Sequence, residues 1–185
     1  MYVWHRGSLA VAARLHDNLI PIEQFLAKIE WIARVPGTAV FLTRTRRDTP
    51  PVLVWHVKHN RALHEHVIAF TTITEPVPWI PDDERVSLQE LAPNFWRTSV
   101  RYGFMERPDI PAVLQRLKMR GCAIDLTDVT YYVGHETVTA AVDGKGLSRW
   151  QEKLFASMER NAAHVTEYFR LPTDQVVEIG RQIAI

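Results

Sequence analysis

Two β-rich runs bracket a helical one near the first third of the chain, and that order restricts the fold more than any other feature. In "RVPGTAVFLT", Pro36 and Gly37 mark a turn, and Thr38 to Thr43 read as a mostly apolar, buried strand. "RTRRDTPP" follows as a basic loop, with Thr49 expected to cap the helix that Pro50 and Pro51 open. Leu53, Val57, Asn60 and His64 fall at spacings of four, three and four, which predicts a helix of roughly three turns with these residues on one face. "HVIAFTTIT" is then rich in β-branched residues and reads as a central strand. Strand, helix, strand implies a parallel pair joined by a right-handed crossover.

The rest of the chain extends that unit. Ile22, Phe25, Leu26 and Ile29 form one apolar stripe after Pro21, so a helix is expected over 22–32, and residues 8–16 also show helical spacing. "EPVPWIPDDE" carries Pro76, Pro78 and Pro81 and reads as an extended loop, with Asp82, Asp83 and Glu84 a solvated charge run. "RVSLQEL" and "FWRTSVRYGF", joined by "APN", predict an antiparallel hairpin. "DIPAVLQRLKMRG" predicts a helix begun by Asp109 and ended by Gly121. "TYYVGHETVTA" alternates as a strand, residues 146–169 have helical spacing with Trp150, Leu154, Phe155 and Met158 on one face, and "VVEIGRQIAI" closes as a strand. The expectation is a single α/β domain, with α+β the alternative. Its mixed, mostly parallel sheet of roughly five to seven strands is flanked by helices, the Thr38–Thr43 and Val67–Thr74 strands lying at the centre.

Composition narrows the functional classes. At 185 residues, 46% hydrophobic and 23% charged, the chain suits one globular domain and argues against disorder. A formal charge of +1 with no basic stripe of interleaved aromatics gives no reason to expect nucleic acid. The single cysteine, Cys122, excludes an intrachain disulfide and reads as a small core residue. No apolar run approaches the ~20 residues of a membrane helix. The start, "MYVWHRG", nevertheless sets aromatics beside His5 and Arg6, as at the cytoplasmic end of such a helix.

Residues 51–70 hold four of the eight histidines: His56, His59, His64 and His66. Zinc asks for three or four convergent ligands, usually with a thiolate or carboxylate among them, and this spacing matches neither HExxH nor a zinc finger. Lys58, His59 and His66 read instead as surface groups, and Asn60 and His64 as partners of loop backbone near the helix end. Asp125 and Asp128 read as parts of a capping turn. Gly103, in "RYGF", suggests a bend or a close backbone approach. No GxGxxG, P-loop or GxSxG pattern occurs, and the residues support no catalytic assignment, no metal and no cofactor.

Seven stretches taken in order carry a further reading. "WHRG", "RVPGTAVFLT", "LVWHVKHNRALHE", "VRYGFMERPDIPAVL", "TYYVGHETV", "RWQEKLFASMERNA" and "VVEIGRQIAI" together resemble the C-terminal cytosolic region of the Kup potassium-uptake transporters, from Trp4 to Ile185. The family pattern differs at His135, before Glu136-Thr137-Val138, where Arg is common, and in the higher charge of "RTRRDTPP". The resemblance implies a multi-pass inner-membrane protein that imports potassium, with protons as the coupled ion, and whose membrane part precedes this region. Residues 1–20 would then be a juxtamembrane segment and 21–185 a domain on the cytoplasmic side. That domain would regulate or assemble the transporter without forming the ion path. Its expected partners are the membrane domain of the same transporter and a second copy in a homodimer. A nucleotide second messenger is the anionic regulator that the resemblance suggests. The candidate surface for it runs from Arg44 to Arg61, with Arg44, Arg46, Arg47, Lys58 and Arg61 its cations, and Arg101 and Tyr102 as neighbours. The alternative is a standalone α/β protein that binds a nucleotide or another small molecule.

Overall fold

The computed structural model describes residues 20–119, 121–122, 124–139 and 165–184. The helical spacing read at 8–16 lies outside them, as does most of that at 146–169. Among the described residues one six-stranded sheet has the order β3-β4-β2-β1-β5-β6. The strands are β1 (Ala33–Thr43), β2 (Ala62–Glu75), β3 (Val86–Ala92), β4 (Phe95–Gly103), β5 (Val129–Thr139) and β6 (Val176–Ala184). All neighbouring pairs are parallel except β3 with β4. The central pair is β1 and β2, as the β-rich runs predict.

Burial on both faces explains the apolar runs. In β1, Ala39 and Phe41 point to one face and Val40 to the other, all with no exposed surface. On the first face pack helix α1 (Ile22–Ile29), through Ile22, Phe25 and Ile29, and helix α2 (Pro51–Asn60), through Val52 and Leu53. On the second packs helix α4 (Ile110–Met119), through Ile110, Val113, Leu114 and Leu117. Short helices α3 (Asp82–Arg85) and α5 (Val165–Tyr168) complete the described helices. Each fully buried Phe or Leu contributes about 2–3 kcal/mol of burial, which is why the two cores can hold a sheet open to helices on both sides. Cys122 is a buried free thiol within the second core.

Several local expectations change. Helix α1 stops at Ile29 rather than at residue 32, leaving Trp31 90% exposed. Helix α2 stops at Asn60 because Arg61 takes a left-handed conformation, φ 52°, and its N–H closes on the Val57 carbonyl. His64 therefore lies in β2 and not on the helix. Thr49 does not cap α2: Pro50 occupies that position, and the Thr49 hydroxyl is buried without a hydrogen-bond partner among the described residues. The "APN" turn is a two-residue connection in which Pro93 presets φ and Asn94 supplies φ 61°. Gly37, at φ 102°, meets the Asp128 carboxylate so closely that a Cβ would lie 2.6 Å from its Oδ2.

Candidate functional site

Parallel strands deliver their following loops to one edge of the sheet, and the loops after β1, β2 and β4 are held in two different ways. The loops after β2 and β4 are locked together. Glu106 is the key: its Oε2 accepts the N–H groups of Gly103 at 2.7 Å and Ile80 at 3.1 Å, while its Oε1 accepts Arg85 at 2.6 Å. Arg85 also donates to the Ile80 carbonyl and to Asp82, lies 5.4 Å from the centre of the Tyr102 ring, and shares Asp82 with Arg116. Burial pushes the Glu106 pKa up, but the hydrogen bonds from Gly103, Arg85 and Ile80 outweigh it and hold the carboxyl below its ordinary range. Gly103 is the close approach read from the sequence: a Cβ there would stand 2.2 Å from the Pro78 carbonyl oxygen.

The loop after β1 is pinned through its backbone and leaves its cations free. The Thr43 hydroxyl accepts the Thr45 N–H at 3.1 Å, the Thr45 hydroxyl donates to the Asp48 carbonyl, and the Thr71 hydroxyl donates to the Thr45 carbonyl at 3.0 Å. Arg97 of β4 donates to the Arg47 carbonyl. The Thr49 N–H donates to the Ile20 carbonyl at 2.9 Å, and Pro21 bridges Asp48, so the segment entering the domain is fastened to this same loop. Arg44, Arg46 and Arg47 are exposed, and none of their guanidinium groups has a hydrogen bond or ion pair among the described residues.

The fold divides the seven candidate residues. Arg44, Arg46 and Arg47 stand together where β1 ends. Arg101 and Tyr102 end β4 on the same edge, but strand alternation separates them: Arg101 is exposed and pairs with Glu75 at 3.0 Å, whereas Tyr102 is buried in the second core. Burial pushes the Tyr102 phenol up. Lys58 and Arg61 lie towards the far end of α2, ~10 and ~15 Å along the helix axis from its start. The Lys58 ammonium sits 5.3 Å from the centre of the Trp55 ring. Arg85 and Glu106 at this edge, and Arg97 near the start of β4, were not singled out from the sequence. Their partners are 21 and 50 residues away, and no local spacing signals them.

Of the four histidines, His56 is buried, His64 and His66 are half-buried and His59 is exposed. His56 is 5% exposed, its Nδ1 accepting from the Asn60 amide at 2.9 Å. Its ring stands 4.6 Å from that of Tyr132 and 6.1 Å from that of His64. The His64 ring also stands 5.8 Å from that of Tyr132, beside a register shift in the β1–β2 pair between Val35 and Thr38. Asn60 thus bonds a side chain and not loop backbone. The His64 carbonyl accepts Arg34 at 3.0 Å, and the buried His64 Nδ1 has no partner among the described residues. His66 is half-buried, stacked on Trp96 at 5.8 Å, rather than a surface group; His59 is exposed and stacks on Trp55. Desolvation lowers both the His56 and His64 pKa, the neighbouring His64 adding to the effect at His56 and Asp128 opposing it at His64. Asp125 closes a local turn, accepting both the N–H and the hydroxyl of Thr127. Among the described residues no three His, Cys, Asp or Glu side chains converge on a metal position.

Comparison with known proteins gives this architecture a place. Residues 36–185 match the family described as "K+ potassium transporter C-terminal domain". The whole chain is 60% identical over 187 aligned positions to "Probable potassium transport system protein Kup 1" of Bradyrhizobium sp. (strain ORS 278), covering 30% of that protein. It is 41% identical to "Probable potassium transport system protein Kup 3" of Legionella pneumophila (strain Lens) and 39% identical to Kup 1 of Geobacter sulfurreducens (strain ATCC 51573 / DSM 12127 / PCA), again over all of this chain and 30% of each relative. The chain therefore spans about a third of the length of the curated relatives it matches. No solved structure matches it. By the family match over most of its length, the chain belongs to the potassium transporter C-terminal domain family.

Proposed function

We propose that this chain is the part of an inner-membrane potassium-uptake protein that adjusts transport from the cytoplasmic side, and that it does not form the ion path. One observation carries the reading: the chain aligns over its whole length with only 30% of relatives whose names state potassium transport. Two features agree with it. Among the described residues, no helix is long and apolar enough to cross a membrane. A potassium site also asks for about six to eight converging oxygens, by analogy with other hard cations. Regulation asks less, because a ligand or neighbour need favour one arrangement by only ~1–3 kcal/mol.

Import coupled to protons, and assembly as a homodimer, are parts of this proposal. The exposed Trp31 is where we place a contact with a second copy or with the membrane part. An anionic regulator is the ligand class for the unpaired arginines after β1. The test removes the residues after Arg6 from the full transporter and follows rubidium uptake in an uptake-deficient cell. Residual transport with altered rate or altered response is the expected result. A properly inserted truncation without uptake, together with loss of ion binding on substituting single carboxylates within 7–185, would place the domain in the ion path.

A further inference from the structure

We propose that Arg44, Arg46 and Arg47 form a docking surface for anionic phospholipid headgroups, and that the regulatory anion of this loop is the membrane surface itself. The inference rests on the membrane-attached, regulatory reading above. It adds which anion the loop meets.

Three observations meet in this loop. The first is the cluster of charge: three exposed guanidinium groups within four positions, with no acidic partner among the described residues. Asp48, in the same loop, and Glu23 act on Arg97, whose own guanidinium is turned to the Arg47 carbonyl. The second is rigidity. Backbone and hydroxyl bonds at Thr43, Thr45, Asp48 and Thr71 hold the loop, so its backbone needs little ordering to meet a partner. The third is position. Ile20 and Pro21, where the chain enters the described domain, are bonded to Thr49 and Asp48 of this same loop. Ile20 is only 14 positions after Arg6, a span of about 20 Å as helix and about 50 Å fully extended. If Tyr2 to Arg6 lie at the inner membrane surface, the arginine loop is the part of the described domain tied most directly to it.

The chemistry separates a headgroup surface from a small diffusible anion. Small-molecule sites are concave and enclose their ligand. An exposed loop supplies no walls, whereas a sheet of headgroups needs none. Each Arg or Lys near an anionic leaflet strengthens binding by about fivefold, and the attraction is screened by salt.

The experiment uses the 185-residue chain with vesicles of phosphatidylcholine alone and of phosphatidylcholine with phosphatidylglycerol, read by flotation at low and high salt. Binding should require phosphatidylglycerol and weaken with salt. The triple variant Arg44→Gln, Arg46→Gln, Arg47→Gln should lose it by on the order of a hundredfold. The double variant Lys58→Gln, Arg61→Gln, at the other end of α2, should bind like the parent. Circular dichroism and thermal melting confirm that each variant is folded. Absence of phosphatidylglycerol-dependent binding overturns the proposal without any variant. Equal binding to both vesicles, or full binding by the triple variant, overturns it as well. Calorimetric titration with ATP and with inorganic phosphate supplies a further arm: arginine-dependent binding of either, without vesicle binding, assigns the loop to a diffusible anion instead. Altered rubidium uptake in the truncated transporter, alongside absent vesicle binding, would leave the regulatory reading intact and reject only this one.

Discussion

Glu106 and Arg85 meet at 2.6 Å with their side chains only 9% and 14% exposed, which makes this pair the clasp between the loops after β2 and β4. Glu106→Ala would leave a shielded guanidinium and the N–H groups of Gly103 and Ile80 without their acceptor. Destabilisation of about 2–4 kcal/mol is expected, read as a shift in the urea midpoint at constant slope. Because the folded-state pKa of Glu106 is lowered, its contribution is present above the unfolded carboxyl pKa and is lost as pH falls through the folded value. Acid unfolding of the parent should therefore show a stability loss below pH ~4.5 that is smaller in Glu106→Gln, the lowered Asp82 and Asp125 supplying the remainder.

Gly103 allows a second test of the same corner. Any Cβ there collides with the Pro78–Trp79 backbone, which is not the flexible end of a side chain. Gly103→Ala should cost about 3 kcal/mol or more, with the loops displaced rather than merely loosened. Gly121→Ala, where nothing lies within 4 Å of the added atom, is the comparison. Its φ of 96° confines its cost to backbone strain of about 1–2 kcal/mol.

Acid should weaken the helix α2 side of the domain. Both His56 and His64 have lowered folded pKa values, so the unfolded chain binds more protons near their unfolded value of ~6.5. Stability is full above that value and falls as pH drops from ~6.5 towards the folded values. The melting temperature should decline between pH 7.5 and 5. His64→Gln should reduce that slope; an unchanged slope would mean that the buried imidazoles do not govern it. Tyr132, whose phenol burial pushes up, stays neutral throughout.

Arg61 offers a test in the opposite direction. Its φ of 52° is a left-handed position at the end of α2, which glycine occupies without strain. Arg61→Gly should be neutral to about 1 kcal/mol stabilising, and Arg61→Val destabilising by about 1–2 kcal/mol, by thermal melting.

The central parallel pair was legible because two β-branched runs flank a helix-length segment, and short-range chemistry sets each of those elements. The end of α2 was not. Arg61 adopts a glycine-like conformation without being glycine or asparagine, so the helix appeared to continue to His64. His66 looked like a surface group because its stacking partner, Trp96, lies on a strand 30 residues later. The arginine loop was visible as charge, but nothing in the sequence separated Arg44, Arg46 and Arg47 from Lys58 and Arg61. That separation follows from the direction of α2 between two parallel strands. For Gly103 the sequence leaves a bend or a close backbone approach open, and the contact with Pro78 and Trp79 decides for the approach.

The fastening of Ile20 to the loop after β1 has a mechanical consequence. The Thr49 N–H grips the Ile20 carbonyl, and the Thr71 hydroxyl grips the Thr45 carbonyl within the same short loop. A pull on the incoming segment is therefore delivered to the middle of β2, the strand between β1 and β4, rather than dissipated in a slack linker. The route from the first described residues to the sheet is therefore only two hydrogen bonds long, from Ile20 to Thr49 and from Thr45 to Thr71.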